Sequence, residues 1–404
     1  MTTPSRCSMH CIIPPHMMKK MIESGDANAR NCALDTLIAD AGFRGTRELR
    51  AMRGDLTAPT SGRRAIYDAR NSFDVNSATL IRSEGDAEVA DDAINRVYDG
   101  FGLTRDFLLD VFDRNSLDGQ GHRLEGYVHV GHNYNNATWD GQVMRFGDGD
   151  GIRFTDFTQS LDVIAHELAH GLTTHTANLI YERESGALNE SMSDVIGAMV
   201  KQWALEQTVE DADWLIGADI FTPGIGMDAL RSLSHPGEAY NNALFGKDPQ
   251  PADYESRYQG PEDNYGVHIN SGIPNKAFFT TAMMLGGHSW EVVGHIWYAT
   301  LLASNKFTEI HEFADRTYLM AGQYGAEAQA AVVEGWEEVK VRIKGASSKS
   351  RFRRNAHRMA EKATNGTTLK QFSTQIEKLA KQVASLSEDV QTLKKSKKRA
   401  KEDA

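Results

Sequence analysis

The chain has 404 residues, of which 40% are hydrophobic and 25% charged, and its formal net charge is −11 at pH 7. This length predicts two or three domains, and the ordinary composition excludes a wholly disordered or collagen-like chain. The negative charge excludes a simple basic nucleic-acid coat. The charge is unevenly distributed, because residues 345–404 carry 15 Lys and Arg against 6 Asp and Glu, a balance of +9, which leaves −20 for residues 1–344.

The amino-terminal residues do not predict a secretory signal peptide, because the apolar run Cys11-Ile12-Ile13 is short and Pro14-Pro15 ends it. We therefore expect cytoplasmic accumulation or export by a leaderless route. The three cysteines, Cys7, Cys11 and Cys32, all lie near this end, so we expect a main body without disulfides. No apolar run reaches the roughly 18 residues that a membrane helix needs, which predicts that a membrane is not a partner.

Changes in composition divide the chain into five predicted segments: a leader at 1–56, an amino-terminal lobe at 57–176, a helical lobe at 177–344, a basic linker at 345–368 and a closing segment at 369–404. The leader reads as short helical pieces, and the polar run with Gly54 and Pro59 after it marks an exposed link. Strand-like alternation and a helix near Ala87–Phe112 predict a mixed α and β lobe. Successive helical stretches such as Leu161–Thr174 and Leu188–Trp203 then lead into a mainly helical lobe.

The closing segment repeats apolar residues at a strict 3-4 spacing from Leu369 to Leu393. Mostly β-branched residues at heptad position a, with mostly Leu at position d, favour a parallel two-stranded coiled coil, so we expect a parallel dimer through residues 369–393. The alternative is one amphipathic helix that folds back on the body. The basic run Lys394–Arg399 could bind nucleic acid or another acidic partner, although such runs are usually solvated chain ends.

A His-Glu-x-x-His motif lies in the segment from Asp162 to Gly171. His166 and His170 are four residues apart, so on a helix both imidazoles project from one face and can share a metal ion. Glu167 lies next to the first of them, as a general base for a metal-bound water must. Two surface histidines on a helix can produce the same string, so the motif alone does not establish a site.

The next predicted helix supplies a third ligand, because Glu190 and Asp194 again lie four residues apart on one face. Two histidines and one carboxylate leave a tetrahedral zinc with one open position, which is the arrangement of a catalytic site. Asp194 and Asn189 are natural acceptors for the outer N–H groups of the two histidines, whose tautomers they would fix.

Together these motifs resemble the thermolysin-like (M4) zinc metallopeptidases. Asn136–Gly141 is similar to the edge strand of that family, Leu230–Ser234 to its arginine segment, and Asp263–Gly272 to its catalytic histidine segment, in family order over about residues 58–344. The short leader with Pro14-Pro15 is most similar to that of the protealysin subgroup. The resemblance implies an α+β fold of two lobes, one β-rich and one helical, with the zinc cleft between them.

The resemblance also implies a catalytic role for several side chains. Zinc would be held by three ligands, His166, His170 and Glu190. Glu167 would take a proton from the water that attacks the peptide carbonyl and deliver it to the leaving amine. His268 and Tyr181 would stabilise the oxyanion together with zinc, and Asp263 would orient His268 and hold its proton.

Substrate contacts follow from the same resemblance. Asn136 and the backbone of Ala137 would hold the peptide as an added strand, and Arg231 would bind the carbonyl one residue past the scissile bond. Five apolar residues would line the pocket after that bond: Phe154, Val163, Ile216, Ile220 and Leu230. A pocket of this kind gains affinity by burying apolar surface, so we predict cleavage on the amino side of bulky hydrophobic residues.

The sequence departs from the family at a double calcium site. The acidic residues that remain are Asp162, Asp213 and Asp219, whereas the expected neighbouring ligands are replaced by Lys201, Leu215 and Ala218. Calcium needs 6–8 oxygen ligands, and an ammonium group supplies positive charge instead. We therefore expect Lys201 to pair with these aspartates and the calcium site to be weak or absent.

The leader is expected to be an inhibitory propeptide that self-cleavage removes between about Arg53 and Ala58. Cys7 or Cys11 could instead silence the enzyme by placing a thiolate on zinc, although reduced cysteines in a propeptide are the simpler interpretation. A competing function is that of a zinc-bearing interaction protein without catalysis. The intact catalytic side chains argue against it, because a scaffold does not need them.

Overall fold

The computed structural model describes residues 10–53 and 64–344, with side chains described to residue 43 in the first range. The internal contacts of the chain separate one unit, Met1–Gly345, from a second unit, Ala346–Ala404. The predicted linker, coiled coil and basic run therefore lie outside the described residues, as do Cys7 and most of the predicted cleavage region. Among the described residues, every helix is too short or too polar to cross a membrane.

The leader folds as a short strand, β1 (His10–Cys11), followed by helices α1 (Pro15–Ser24) and α2 (Ala27–Arg53). Proline suits the start of α1, because its missing N–H would have no helical partner there. Helix α2 runs 27 residues, so the prediction of short helical pieces is wrong. It continues through Gly42 and Gly45 because each glycine costs a helix only about 1 kcal/mol, which the packing of its buried residues offsets.

The amino-terminal lobe is built on one six-stranded sheet in the order β1-β5-β6-β4-β2-β3. Its further strands are β2 (Arg64–Asp68), β3 (Thr79–Ser83), β4 (Leu124–Val128), β5 (Ala137–Trp139) and β6 (Val143–Phe146). Strand β1 of the leader pairs antiparallel with β5, so the leader itself provides the edge of this sheet. Helix α3 (Asp92–Phe112) packs on it and begins later than predicted, because Asp91 caps the amides of Ala93 and Ile94.

The carboxy-terminal lobe is mainly helical, which confirms the predicted α+β fold of two lobes. Its helices, with the one that enters it, are α4 (Leu161–Thr174), α5 (Arg183–Ala204), α6 (Glu262–Asn270), α7 (Gly272–Leu285), α8 (Val292–Ala303), α9 (Ile310–Ala321) and α10 (Ala326–Glu338). Two small antiparallel pairs join β7 (Leu215–Ile216) to β8 (Arg231–Ser232) and β9 (Asn241–Asn242) to β10 (Gly246–Lys247).

Helices α4 and α5 pack closely against each other, and this contact positions the predicted metal ligands. A Cβ at Gly197 would lie only 2.6 Å from the carbonyl oxygen of Asp162, so glycine is required at this point of α5. Glycine thus allows the two backbones to approach until side chains from both helices meet in one buried site.

Candidate active site

Three side chains from α4 and α5 converge at one buried point. Nε2 of His166 lies 3.1 Å from Nε2 of His170. The carboxylate oxygens of Glu190 lie 3.5 Å from each of these nitrogens. All three residues are fully buried, so two imidazole nitrogens and one carboxylate face each other away from solvent.

The chemistry of these three side chains fits zinc. Burial and then the neighbouring His10 and His166 lower the pKa of His170 well below its usual value, which favours the neutral ring whose lone pair can bind a metal. Oε2 of Glu190 has no hydrogen-bond partner among the described residues, although a buried carboxylate oxygen normally needs one. A divalent cation at this point would satisfy it, and two nitrogens with one carboxylate are a typical catalytic zinc set.

The outer nitrogens of both histidines contact acceptors on α5. Nδ1 of His166 lies 2.8 Å from Oδ1 of Asp194, and Nδ1 of His170 lies 2.8 Å from Oδ1 of Asn189. Burial opposes the charge of Asp194, but Arg231 and His166 outweigh it, so the pKa of Asp194 lies below its usual value. These acceptors place the ring protons on Nδ1 and leave both Nε2 atoms to face the metal position.

Glu167 follows His166 on α4 and is also fully buried. Neither of its carboxylate oxygens accepts a hydrogen bond from the side chains of the described residues. Burial, and after it the neighbouring Glu190, raise the pKa of Glu167 well above its usual value. A carboxylate with a raised pKa beside a metal position is suited to accept and return a proton.

Tyr181 and His268 close a second side of the site. The hydroxyl of Tyr181 donates to Oε1 of Glu190, and Nε2 of His268 lies 3.0 Å from that hydroxyl. Asp263 accepts from Nδ1 of His268 at 2.6 Å. Burial alone would lower the pKa of His268, but Asp263 and Glu190 raise it to about 9, so the ring is a cationic donor at neutral pH.

The leader occupies the cleft beside these groups. The amide of Ile12 donates to the carbonyl of Ala137 at 3.1 Å, and the amide of Ile13 donates to Oδ1 of Asn136 at 3.1 Å. Nη1 of Arg231 donates to the carbonyl of Ile12 at 3.2 Å. The three groups predicted to bind substrate therefore contact the leader of the same chain.

Cys11 meets the site through its backbone rather than its thiol. Its carbonyl oxygen lies 3.1 Å from Nε2 of His268. Its side chain belongs to a buried apolar cluster that also contains Phe43, Ala69, Val130 and Tyr134. The alternative in which the Cys11 thiolate binds the metal is therefore wrong in this structure, and Cys7 lies outside the described residues.

The predicted pocket residues are all buried but fall into two groups. Val163, Ile220 and Leu230 converge on Gly217, where an added Cβ would lie within 3.6 Å of each of them. Ile216 of β7 pairs with Arg231 of β8 and so borders the same position. Phe154 instead joins an aromatic cluster with Phe157, Phe221 and Phe245.

At the predicted calcium site an ammonium group takes the central position. Nζ of Lys201 lies 3.0 Å from Oδ2 of Asp162, 3.0 Å from Oδ1 of Asp213 and 3.0 Å from the carbonyl of Leu215. The other replacing residue, Ala218, begins a short 3-10 helix, Ala218–Ile220. The next residue in that turn, Asp219, has its pKa raised first by burial and then by Asp162.

Two residues of the leader contact the site although the sequence did not predict them. The ring of His10 stacks on that of His170 with 3.9 Å between centroids and 16° between planes. Asp40 accepts from the hydroxyl of Tyr134 at 2.6 Å and from Nδ2 of Asn136 at 3.0 Å. An apolar run directly before Pro14-Pro15 is the one signal that could have indicated a strand resembling a substrate.

Known protein families and relatives match most of the chain. Residues 48–174 match the family described as thermolysin metallopeptidase, catalytic domain, and residues 177–341 match thermolysin metallopeptidase, alpha-helical domain. An extracellular metalloprotease of Pectobacterium carotovorum subsp. carotovorum is 46% identical over 338 residues, which are 82% of this chain and 96% of the relative. Protease PrtS of Photorhabdus sp. (strain Az29) is 39% identical over 344 residues, 82% of this chain and 92% of the relative.

A solved structure of a metalloproteinase precursor is also similar to this chain. The precursor of protealysin, a metalloproteinase from Serratia proteamaculans, superposes with a TM-score of 0.75 at 45% sequence identity. The match covers 82% of this chain and 99% of that one. The similarity therefore extends over nearly the whole length of a peptidase precursor.

Proposed function

Because the chain belongs to the thermolysin (M4) family of metallopeptidases, in its protealysin type, we propose that its leader inhibits it by lying in the substrate cleft and that the mature enzyme cleaves before bulky hydrophobic residues. Membership of the family makes it a zinc-dependent endopeptidase produced with a propeptide. Its relatives are named as proteases, which argues against an interaction protein without catalysis.

Each catalytic step can be assigned to a residue of the site. Bound zinc would supply a Lewis acid for the peptide carbonyl and would lower the pKa of a water at the site, and His166, His170 and Glu190 would hold it. Glu167 accepts the proton of the attacking water and returns it to the leaving amine. His268 donates a hydrogen bond to the developing oxyanion, for which its cationic ring is suited.

The position of Ile12 gives the strongest support for a leader that inhibits by occupying the substrate cleft. Its amide and carbonyl bond to Ala137 and Arg231, while the carbonyl of the preceding residue lies 3.1 Å from Nε2 of His268. A substrate residue directly after the scissile bond would make the same contacts. We infer that the leader lies in the place and the direction of a substrate, and this supports its role as an inhibitor.

The proposed specificity is supported by the burial of that position. Ile12 is completely buried, and the residue beside Arg231 in sequence, Leu230, belongs to the apolar group around Gly217. Full burial of an isoleucine side chain contributes about 1.5–3 kcal/mol. A charged side chain would lose its hydration there without a partner, so we propose Leu, Ile and Phe as the preferred residues.

Sequencing the products of a peptide library treated with the processed protein tests this specificity. We expect most new amino termini to be Leu, Ile or Phe, and new termini that are mainly charged would contradict the proposal. A Glu167→Ala preparation serves as the matched control, because product formed by it would come from a contaminating protease.

For the closing segment we propose the parallel dimer through residues 369–393, supported by its heptad pattern alone. Sedimentation of the Glu167→Ala chain beside the same chain truncated after Lys344 tests the dimer, which truncation should convert to a monomer. Two monomers would contradict it.

Salt-dependent nucleic-acid binding that truncation removes would support a role for the basic run. The proposed compartment, cytoplasmic or reached by a leaderless route, can be checked by cell fractionation.

A further inference from the structure

The leader makes the contacts proposed above for a substrate, so its peptide bond between Cys11 and Ile12 lies where a scissile bond is expected. The carbonyl of Cys11 lies 3.1 Å from Nε2 of His268, and the following amide donates to the carbonyl of Ala137. A peptide held in this way is in position for hydrolysis once a water and Glu167 can act on it. An inhibitor that binds like a substrate therefore needs a feature that protects this bond.

Strand alternation directs His10 towards the metal ligands. In β1, His10 pairs with Trp139 and Cys11 pairs with Thr138. Successive side chains of a strand point to opposite faces, and that of Cys11 enters the apolar cluster around Phe43. The side chain of His10 consequently points the other way, into the buried site beside His170.

The ring of His10 lies against the ligand set itself. It stacks on His170 and meets the ring of Tyr181 edge-on, with 4.4 Å between their centroids. One ligand atom each from His10, His170 and Glu190 lie within 4.8 Å of one another. His10 is 3% exposed, so its imidazole is buried beside the two ligand imidazoles on α4.

We propose that His10 closes the open position of the zinc in the precursor and acts as a fourth protein ligand supplied by the propeptide. This inference rests on the proposed zinc site. Two histidines and one carboxylate leave one position free for water, and a third imidazole there would give the four protein ligands of a closed site. Water would then have no place beside Glu167, and the bond after Cys11 would survive.

Loss of the His10 ring would expose the peptide bond after Cys11 to hydrolysis. Without the His10 ring, water can enter and its oxygen adds to the carbonyl carbon of Cys11, with its proton accepted by Glu167. The bond from that carbon to the nitrogen of Ile12 then breaks. Cys11 keeps the oxygen of the water in a carboxylate, and both protons of the water pass to the nitrogen of Ile12, which becomes the new cationic amino terminus. Loss of His10 therefore turns the inhibitor into a substrate.

Cobalt substitution tests the ligand directly, with the full-length precursor kept uncut by Glu167→Ala. We expect His10→Ala on this background to change the visible absorption of bound cobalt and to weaken cobalt binding at least about 10-fold. The matched control is His16→Ala, because His16 also lies in the leader but bonds to the hydroxyl of Tyr240 at 3.0 Å. Its spectrum should equal that of the parent precursor.

Identical cobalt spectra in all three proteins would overturn the role of His10 and leave the zinc site intact. Failure of the parent precursor to bind cobalt would instead contradict the zinc site, so the two failures can be distinguished. With Glu167 present, His10→Gln, which keeps much of the side-chain volume, should yield a product that begins at Ile12 by mass spectrometry. Formation of that product at the same rate by the wild-type precursor would also overturn the proposal.

Discussion

Arg231 holds Asp194 through three hydrogen bonds, two from Nε at 3.1 and 2.9 Å and one from Nη2 at 2.8 Å. Asp194 also lies 2.8 Å from Nδ1 of His166. The arginine that contacts the bound peptide and a predicted zinc ligand therefore share one buried carboxylate. A change at this arginine should affect the metal as well as the substrate.

Arg231→Lys should weaken zinc binding about 10-fold and raise KM, because lysine keeps the charge but cannot reproduce the paired contacts of a guanidinium. Zinc affinity can be measured by chelator competition on the Glu167→Ala background, and KM on the processed enzyme. Arg342→Lys, at an exposed position, is the control. An increase in KM with zinc affinity unchanged would show that Asp194 does not transmit the effect.

Because Lys201 lies among the acidic residues of the calcium site, we expect that calcium does not stabilise this protein. Burial opposes the charge of Lys201, but Asp162 and Asp213 outweigh it and raise its pKa, so the ammonium neutralises the acidic site. The thermal midpoint should not change with millimolar calcium. Lys201→Ala should cost about 2 kcal/mol of unfolding free energy, because it removes a hydrogen-bond donor from the fully buried Asp162. A pair of tightly bound calcium ions found by metal analysis would contradict this.

The ion pairs of His129 lead us to expect that the folded protein loses stability at alkaline pH. Its ring lies 2.8 Å from Asp148 and 2.9 Å from Asp91, and these carboxylates raise its pKa to about 9 against the opposing effect of burial. Because the pKa of His129 is higher in the folded than in the unfolded protein, its charged ring stabilises the fold fully below about pH 6.5, the unfolded pKa. This stabilisation is lost as the pH rises through about 9. Urea unfolding of Glu167→Ala with and without His129→Gln should therefore differ less above pH 9 than at pH 6. A constant difference would contradict this.

We expect Asp40 to help hold the leader in the cleft. It accepts hydrogen bonds from Tyr134 and from the amide of Asn136, whose oxygen in turn bonds to Ile13. Hydrogen bonds to a charged group contribute about 1.5–3 kcal/mol each, so Asp40→Ala should speed self-processing about 10-fold or more. Asp35→Ala, exposed on the same helix, is the control for loss of one charge from α2. Equal processing rates for the two variants on gels would contradict this role.

The sequence predicted best the parts of the site that depend on local periodicity. The predicted helix over Leu161–Thr174 has the bounds of α4, because one apolar face and two histidines at a four-residue spacing define it. Helix α5 begins at Arg183, five residues before the predicted start, since its first turn is polar and shows no apolar period. Periodicity thus located the ligand face but not the helix start.

Contacts that depend on backbone conformation or distant pairing could not be obtained from local patterns. Asp263 folds back onto His268 because four consecutive residues, Asp263 to Gly266, adopt left-handed conformations, and three of them are not glycine. Such conformations are uncommon and have no sequence period. The position of His10 depends on the pairing of a two-residue strand with β5, and that of Asp40 on the length of α2. Only the family resemblance could predict His268.

Hydrolysis of casein by the processed protein, with and without a zinc chelator and beside Glu167→Ala, tests directly whether the chain is a zinc peptidase. We expect the chelator to abolish hydrolysis, added zinc to restore it, and Glu167→Ala to stay full length and to lose about 100- to 10,000-fold in rate. Hydrolysis that resists the chelator, or that Glu167→Ala performs at the wild-type rate, would contradict a zinc peptidase that uses Glu167 as its base.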